Sequence, residues 1–375
     1  MKNPTRLTYI TTASFPAQKA SSVQVMQMCA AFAAAGALVK LVARQSKTTG
    51  DVLAHYGLQP TFEFSPRPFS GWPRAGDVFQ LQAALAEPGR DWICYSRGQD
   101  LTAPLTALWR GATALVEAHG RPATARQRIL LGYIARHPRG RLIVISEPLQ
   151  EIYQRDYGLR SFVAPDGVDV SRFEPRRTTA DAQQSLGLEP GPWVVYVGGL
   201  YAGRGLETLF AACGRLPVKL LIVGGRDQTE VEHWRERATQ LGVGNVRFTG
   251  YQPPAQVPLY LFAADILAMP YSARTLTPSG EDTTAWMSPL KLYEYLAAGR
   301  PIVASDLPAL RSTLIPEQNA LLARPDDVES LRASIERLLN DPALGQRLGP
   351  TAHQTALAHS WTNRARLILE LASFD

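Results

Sequence analysis

Short apolar runs alternate with helix-favouring stretches from one end of this chain to the other, the pattern of parallel α/β layers. In the first half the runs predict strands at Leu7–Thr11, Leu38–Ala43, Trp92–Tyr95, Ala114–Val116 and Leu142–Ile145. A helix is expected over Val23–Ala35, stopping at Gly36. The Pro-, Phe- and Trp-rich segment 60–76 shows no period and reads as a surface excursion. After a strand at Phe162–Ala164, the turn Pro165-Asp166-Gly167-Val168-Asp169 and a polar stretch to Pro192 read as a linker. A second series follows, with strands at Trp193–Val197, Lys219–Val223, Val246–Phe248, Ile266–Met269 and Ile302–Ser305. Helices at Val328–Asn340 and Trp361–Ala372 close it. The expected architecture is two doubly wound, Rossmann-like α/β domains facing a central cleft. Their expected bounds are residues 1–170 and 191–358, with a linker at 171–190 and a terminal helix at 359–375.

Composition supports that reading. A chain of 375 residues exceeds what one core usually organises, and 45% hydrophobic content is that of a globular protein. No apolar run is long enough to span a bilayer, and the N-terminus lacks a signal-peptide core. Cys29, Cys94 and Cys213 lie far apart without metal spacing, which fits a reducing cytoplasm. The net charge of +6 is unevenly placed: residues 1–175 carry +7 and residues 176–375 carry −1. Between Ala118 and Ser146 stand Arg121, Arg126, Arg128, Arg136, Arg139 and Arg141 with no acidic residue. That stretch fits a solvated basic helix, or a surface meeting an anionic acceptor or membrane headgroups on the inner leaflet. No base-reading motif accompanies it, so nucleic acid is not an expected partner.

The richest stretch is 288–306. Ser288 suits an N-cap, Pro289 the first helical position and Gly299 the stop, before the strand at Ile302–Ser305. A helix opening there favours an anion. Lys291 and Glu294, three residues apart, share one face, pairing a cation with a carboxylate able to accept from hydroxyls. Read alone, Glu294 fits a solvated helix residue equally well. Upstream, Gly198, Gly199, Gly203 and Gly205 surround Arg204 in a strand–loop–helix turn, and Gly224-Gly225-Arg226 ends the next strand. The glycine spacing is neither a dinucleotide fingerprint nor a Walker loop. In an open parallel sheet these loops, the loop from Tyr251 to Pro253 and the helix start at Ser288 would share one carboxyl-end rim, a phosphate-binding edge.

The second half resembles the donor domain of the retaining glycosyltransferases of family 4, which have the GT-B fold. The resemblance rests on Ala-Pro-Asp-Gly-Val-Asp-Val-Ser-Arg-Phe (164–173), Tyr-Val-Gly-Gly-Leu-Tyr-Ala-Gly-Arg-Gly (196–205), Phe-Thr-Gly-Tyr (248–251) and Ala-Asp-Ile-Leu-Ala-Met-Pro (264–270). Lys-Leu-Tyr-Glu-Tyr-Leu-Ala-Ala-Gly-Arg-Pro-Ile-Val-Ala-Ser (291–305) and Ser-Trp (360–361) complete it. The first half is similar more loosely, through Phe15-Pro16, Glu117-Ala-His119 and Ile145-Ser146.

The resemblance implies a nucleotide-sugar donor, a small-molecule, lipid-linked or glycan acceptor, and no cofactor or metal. It implies that Glu294 binds the ribose hydroxyls, that Arg204 holds the diphosphate, and that His119 lines the sugar pocket from the acceptor-side domain. It also implies a terminal helix crossing back to that domain. Many members carry Arg where this chain has Gly199, and a second Glu where it has Trp286; Glu281 and Asp282 are nearby but out of register. Lys291 is the candidate for the lost cation. Gly198, Gly225, Arg226, Tyr251 and Leu290 complete the candidate donor set. Ser21 and Ser22, read as helix caps, and Arg126 are acceptor-side candidates. Asp166 and Asp169 read as a hinge turn. A sugar-nucleotide 2-epimerase and a sugar-nucleotide-binding protein without turnover are the alternative readings.

Overall fold

The computed structural model describes residues 4–46, 51–69, 72, 74–98, 100–277 and 280–373. The chain divides into two units, Met1–Asp166 with Trp361–Asp375, and Gly167–Ser360.

The first unit is built on strands β1 (Arg6–Ser14), β2 (Leu38–Arg44), β3 (Glu63–Arg67), β4 (Ile93–Arg97), β5 (Thr113–Ala118), β6 (Gly140–Val144) and β7 (Phe162–Val163). All pair in parallel in the order β3-β2-β1-β4-β5-β6-β7, with Leu7 opposite Ile93 and Val116 opposite Leu142. Every residue of β5 is buried, as expected of a strand covered on both faces. The helices are α1 (Ala20–Ala34), α2 (Val52–Tyr56), α3 (Ala75–Leu85), α4 (Thr102–Trp109), α5 (Ala125–Arg136) and α6 (Glu147–Tyr157). Chain order turns about between β1 and β4, so right-handed crossovers put α3, α4 and α5 on the face opposite α1.

The second unit has α7 (Thr179–Ser185), β8 (Trp193–Val197), α8 (Leu206–Cys213), β9 (Lys219–Val223), α9 (Gln228–Gln240), β10 (Val246–Gly250), α10 (Val257–Phe262) and β11 (Ile266–Met269). It continues with α11 (Leu290–Ala298), β12 (Ile302–Ser305), α12 (Pro308–Arg311), β13 (Leu321–Ala323), α13 (Val328–Asn340) and α14 (Pro342–Ala358). Its parallel order is β10-β9-β8-β11-β12-β13, with two apolar cores packed against the sheet. The last helix, α15 (Trp361–Ala372), belongs to the first unit and packs on α1.

Several expectations need correcting. The segment 60–76 holds β3, an edge strand whose Pro66 can sit there because one side of an edge needs no ladder bond; positions 70, 71 and 73 lie outside the described residues. The stretch 171–190 falls within the second unit and contains a 3-10 turn at Val170–Phe173 and α7. Ser21 and Ser22 do not cap α1. The helix starts at Ala20, Lys19 holds the cap position without a side-chain bond, and Ser22 is buried in the first turn. Likewise α11 starts at Leu290, because Pro289 is extended (φ −77°, ψ 129°), and the Ser288 hydroxyl lies 3.2 Å from that of Tyr293.

Candidate active site

In the second unit chain order reverses between β8 and β11, the place where an open α/β sheet leaves a crevice at its strand ends. Helix α11 is aimed there by its own sequence. Leu292, Tyr293, Tyr295 and Leu296 are buried. The Tyr295 hydroxyl accepts from the Val197 N–H at 2.8 Å, locking the helix to the end of β8. That leaves Lys291 and Glu294, at i and i+3, on the open side. Among the described residues no side chain caps the helix start, which leaves its positive dipole end available to an anion.

The Lys291 ammonium lies 3.9 Å from the Tyr196 ring centroid and 5.1 Å from that of Tyr271. Its Nζ is buried with no hydrogen-bond partner among the described residues. Burial, and then Arg204, push its pKa well below the usual lysine value, against an opposing pull from Glu294. Gly198 makes room for it. A Cβ there would come within 2.6 Å of Nζ, and its φ of +146° suits glycine. Arg204 stacks on Tyr201 at 4.3 Å and on Tyr271 at 4.9 Å, and donates from Nη2 to the Tyr201 hydroxyl. Two cations thus flank one aromatic ring. Gly205 presses this loop onto the strand end after β11, where any Cβ would run into the Pro270 carbonyl.

Glu294 meets Arg172, whose Nη1 lies 3.9 Å from Oε1. Arg172 is held in turn by donating to the Pro254 carbonyl. Burial raises the Glu294 pKa, while Arg172 and Lys291 oppose the rise. A cationic pocket beside a carboxylate of this kind can take a phosphate and a diol side by side.

The other predicted residues fall in different places. The Tyr201 ring covers Gly199, so the position that carries Arg in many similar sequences is roofed by an aromatic that Arg204 engages. Gly225 lies at the end of β9 with φ +113°, Leu290 opens α11 and Tyr251 follows β10, both half-buried. Arg226 is committed elsewhere, its Nε donating to Glu230 at 3.0 Å. Trp286 is buried, and Asp282 faces Thr284 and, at 3.4 Å, Arg274. Asp169 caps the 3-10 turn through Ser171. Arg126 sits in the first turn of α5, 3.3 Å from Asp77.

In the first unit His119 follows β5 and its Nε2 contacts the buried Glu117 carboxylate. Glu117 also accepts from Tyr95 and from Gln24 (2.7 Å), and pairs with Arg364 of α15 at 3.0 Å. Burial would push Glu117 up, but Arg364 and then His119 hold it well below the usual carboxylate range. Burial and Arg97 lower His119 to about 4, against Glu117, so its ring is neutral at ordinary pH. Asp166 is buried beside this group and raised to about 7, chiefly by burial. Ligand atoms of Glu117, His119 and Asp166 lie within 4.8 Å of one another, a metal-like spacing. The donor set fits a cation poorly, because the Arg364 guanidinium already supplies the positive charge there.

Sequence reading missed Tyr196, Tyr201 and Tyr271 around the cations, and Arg172 behind Glu294. The tyrosines flank the glycines and Pro270, a visible signal; Arg172 lies in the quoted 164–173 motif, but nothing linear ties it to Glu294.

Residues 191–341 match the family model of the glycosyl transferases group 1. Among curated relatives, the D-inositol 3-phosphate glycosyltransferase of Corynebacterium urealyticum is 28% identical over 226 residues, 56% of this chain and 50% of the relative. The phosphatidyl-myo-inositol mannosyltransferase of Mycolicibacterium smegmatis is 30% identical over 226 residues, 58% of this chain and 53% of the relative. The chain therefore spans about half the length of the curated relatives it matches. Sucrose-phosphate synthase from Thermosynechococcus elongatus aligns with a TM-score of 0.74 at 22% identity, over 98% of both chains. Anabaena HepE in complex with UDP-glucose aligns at 0.72 and 16%, over 98% of both chains. The fold shared with these structures is GT-B, two Rossmann-like domains.

Proposed function

We propose, for a chain whose residues 191–341 match the family model of the glycosyl transferases group 1, a retaining, metal-independent glycosyltransferase that moves a hexose-type sugar from a nucleoside diphosphate to an acceptor hydroxyl. The observation that carries this reading is Lys291, a buried ammonium with no hydrogen-bond partner among the described residues, next to Arg204 and an uncapped helix start. Such a charge is costly to bury unless an anion arrives to meet it. A diphosphate supplies that anion, and Glu294 accepts from the adjoining ribose hydroxyls.

The chemistry follows from charge. As the sugar C1–O bond to the β-phosphate breaks, negative charge grows on the phosphate oxygens. Lys291, Arg204 and the first N–H groups of α11 stabilise it in place. The acceptor oxygen bonds to C1 from the same face, and its proton passes to the departing phosphate. This course needs no carboxylate nucleophile, and preserves the anomeric configuration. For His119 the reading assigns a hydrogen bond accepted from a substrate sugar hydroxyl by Nδ1 of the neutral imidazole, whose Nε2–H is turned to Glu117.

The test is incubation with UDP-, GDP- and ADP-hexoses in the presence of EDTA, with a panel of hydroxyl acceptors. Inositol phosphates lead that panel because the relatives' names carry them. We expect nucleoside diphosphate release from one donor class, a product of unchanged anomeric configuration by NMR, and loss of release in Lys291→Met. An isomerised donor would establish an epimerase instead. Binding without turnover across the panel, or an inverted product, would overturn retaining transfer.

A further inference from the structure

The loop between β8 and α8 is fixed along its whole length. The Gly198 N–H donates to the Val223 carbonyl at 2.9 Å, the Tyr196 hydroxyl to that of Gly199 at 2.6 Å, and the Ser272 N–H to that of Gly203 at 3.1 Å. Its two leading glycines are there for different reasons. Gly198 has a φ of +146°, and a Cβ on it would meet the Lys291 ammonium. Gly199 lies outside the left-handed region, and its missing side chain makes room instead: a Cβ would run into Cε1 of the Tyr201 ring. Two consecutive bare positions thus seat an ammonium and a phenol.

Tyr201 is half-buried on that seat. Its ring lies 4.3 Å from the Arg204 guanidinium, and its hydroxyl accepts from Arg204 Nη2. For stacking alone a phenyl ring would serve, as the Tyr271 ring does at 4.9 Å from the same guanidinium. The hydroxyl adds something else. A phenol that accepts from a guanidinium keeps its own proton, and the bond it accepts polarises that O–H into a better donor. Among the described residues nothing accepts the Tyr201 proton.

We infer that the Tyr201 hydroxyl donates a hydrogen bond to the β-phosphate of the nucleoside diphosphate. The inference rests on the donor reading above and assigns that site a third phosphate-binding side chain, a neutral one. Contacts run in series from Glu294 on the α11 face it shares with Lys291, to the Tyr271 ring that Lys291 and Arg204 both approach, and on to Tyr201. Tyr201 stands at the end of that series away from the ribose carboxylate, where the β-phosphate belongs. A third cation beside Lys291 and Arg204 would add like-charge repulsion in a buried setting, whereas an O–H gives direction without charge. As the C1–O bond breaks and charge gathers on the β-phosphate, this hydrogen bond strengthens with it.

The test is calorimetric titration of the full chain with UDP, GDP and ADP, and with UMP, GMP and AMP. Tyr201→Phe keeps the ring and its stacking and removes only the hydroxyl. In that variant, affinity for the diphosphate that wild type binds should fall roughly tenfold, the loss of one hydrogen bond to a charged group. Affinity for the matching monophosphate and the melting temperature should stay those of wild type. A loss is also expected when Tyr201→Phe is made in an Arg204→Gln background, because the hydroxyl acts on the phosphate and not through the guanidinium. Wild-type diphosphate affinity in Tyr201→Phe, an equal loss for the monophosphate, or a loss that vanishes in Arg204→Gln overturns the inference and leaves the donor reading standing. Wild-type protein that binds none of the three diphosphates overturns both.

Discussion

Lys291 is held in a state that an anionic ligand relieves. Its ammonium faces two tyrosine rings and Arg204, a setting that offers π density and no hydrogen-bond acceptor among the described residues. Replacing it by Met keeps the volume and removes the buried charge. Lys291→Met is therefore expected to raise the melting temperature of the free protein while weakening nucleoside diphosphate binding at least tenfold. Calorimetric titration and thermal melting on the same sample check this; unchanged affinity would remove Lys291 from the site. Arg172 works at one remove, as the cation nearest Glu294. Without it the Glu294 pKa, already raised, climbs further. Donor affinity of Arg172→Met should then rise more steeply with pH than that of wild type, because the diol needs the ionised carboxylate. A pH profile parallel to wild type would show Arg172 to be structural only.

Elements place these residues where chain distance could not. Helix α11 is amphipathic in an unusual sense, one side locked by Tyr295 to β8 and the other presenting Lys291 and Glu294. Helix α15 does the same for the first unit. It delivers Arg364 to Glu117, to the carbonyl of Ala164 at 3.0 Å and to that of Pro165 at 2.8 Å. Breaking a fully buried pair by removing one partner leaves an uncompensated charge, a loss of about 3–5 kcal/mol. Arg364→Met should destabilise the first unit by that order in urea unfolding, and Glu117→Gln added to it should recover part of the loss. Additive effects of the two changes would contradict the pairing.

Elements also mark where a linear reading works. Strands β8, β9, β11 and β12 and helices α13 and α15 stand at the expected residues, because a strand covered on both faces is an unbroken apolar run and these helices carry an amphipathic period. Strand β3 was illegible because an edge strand half in solvent keeps prolines and charges. Helix α14 hid behind Gly345, Gly349 and Pro350, poor helix formers tolerated where the backbone packs closely, as at Gly349 over the Gly299 carbonyl.

For the molecule as a whole, pH stability is set in part by two titratable groups of opposite sign, buried Asp166 and half-buried His119. Asp166, raised to about 7 from 3.8, keeps its proton in the folded state after the unfolded chain has lost it, so its contribution falls as pH rises between those values. His119, lowered to about 4 from 6.5, binds fewer protons folded than unfolded, so its contribution rises with pH between them. The two oppose each other between about pH 4 and 6.5. Asp166→Asn should give stability that climbs with pH across that window, and His119→Asn stability that falls. Urea midpoints measured across the window separate them, and identical slopes in both variants would sink the assignment.

The sequence by itself determined the alternation of strands and helices, the glycine loop, and the cation and carboxylate on one helix face. All of these are set by periodicity and spacing within a few residues. What only the tertiary structure decided is who meets whom. Arg172 reaches Glu294, Tyr271 is shared by Lys291 and Arg204, and Arg364 reaches Glu117 across most of the chain. Such contacts depend on which strand ends come together and which groups lose their water, and neither is encoded in any one segment.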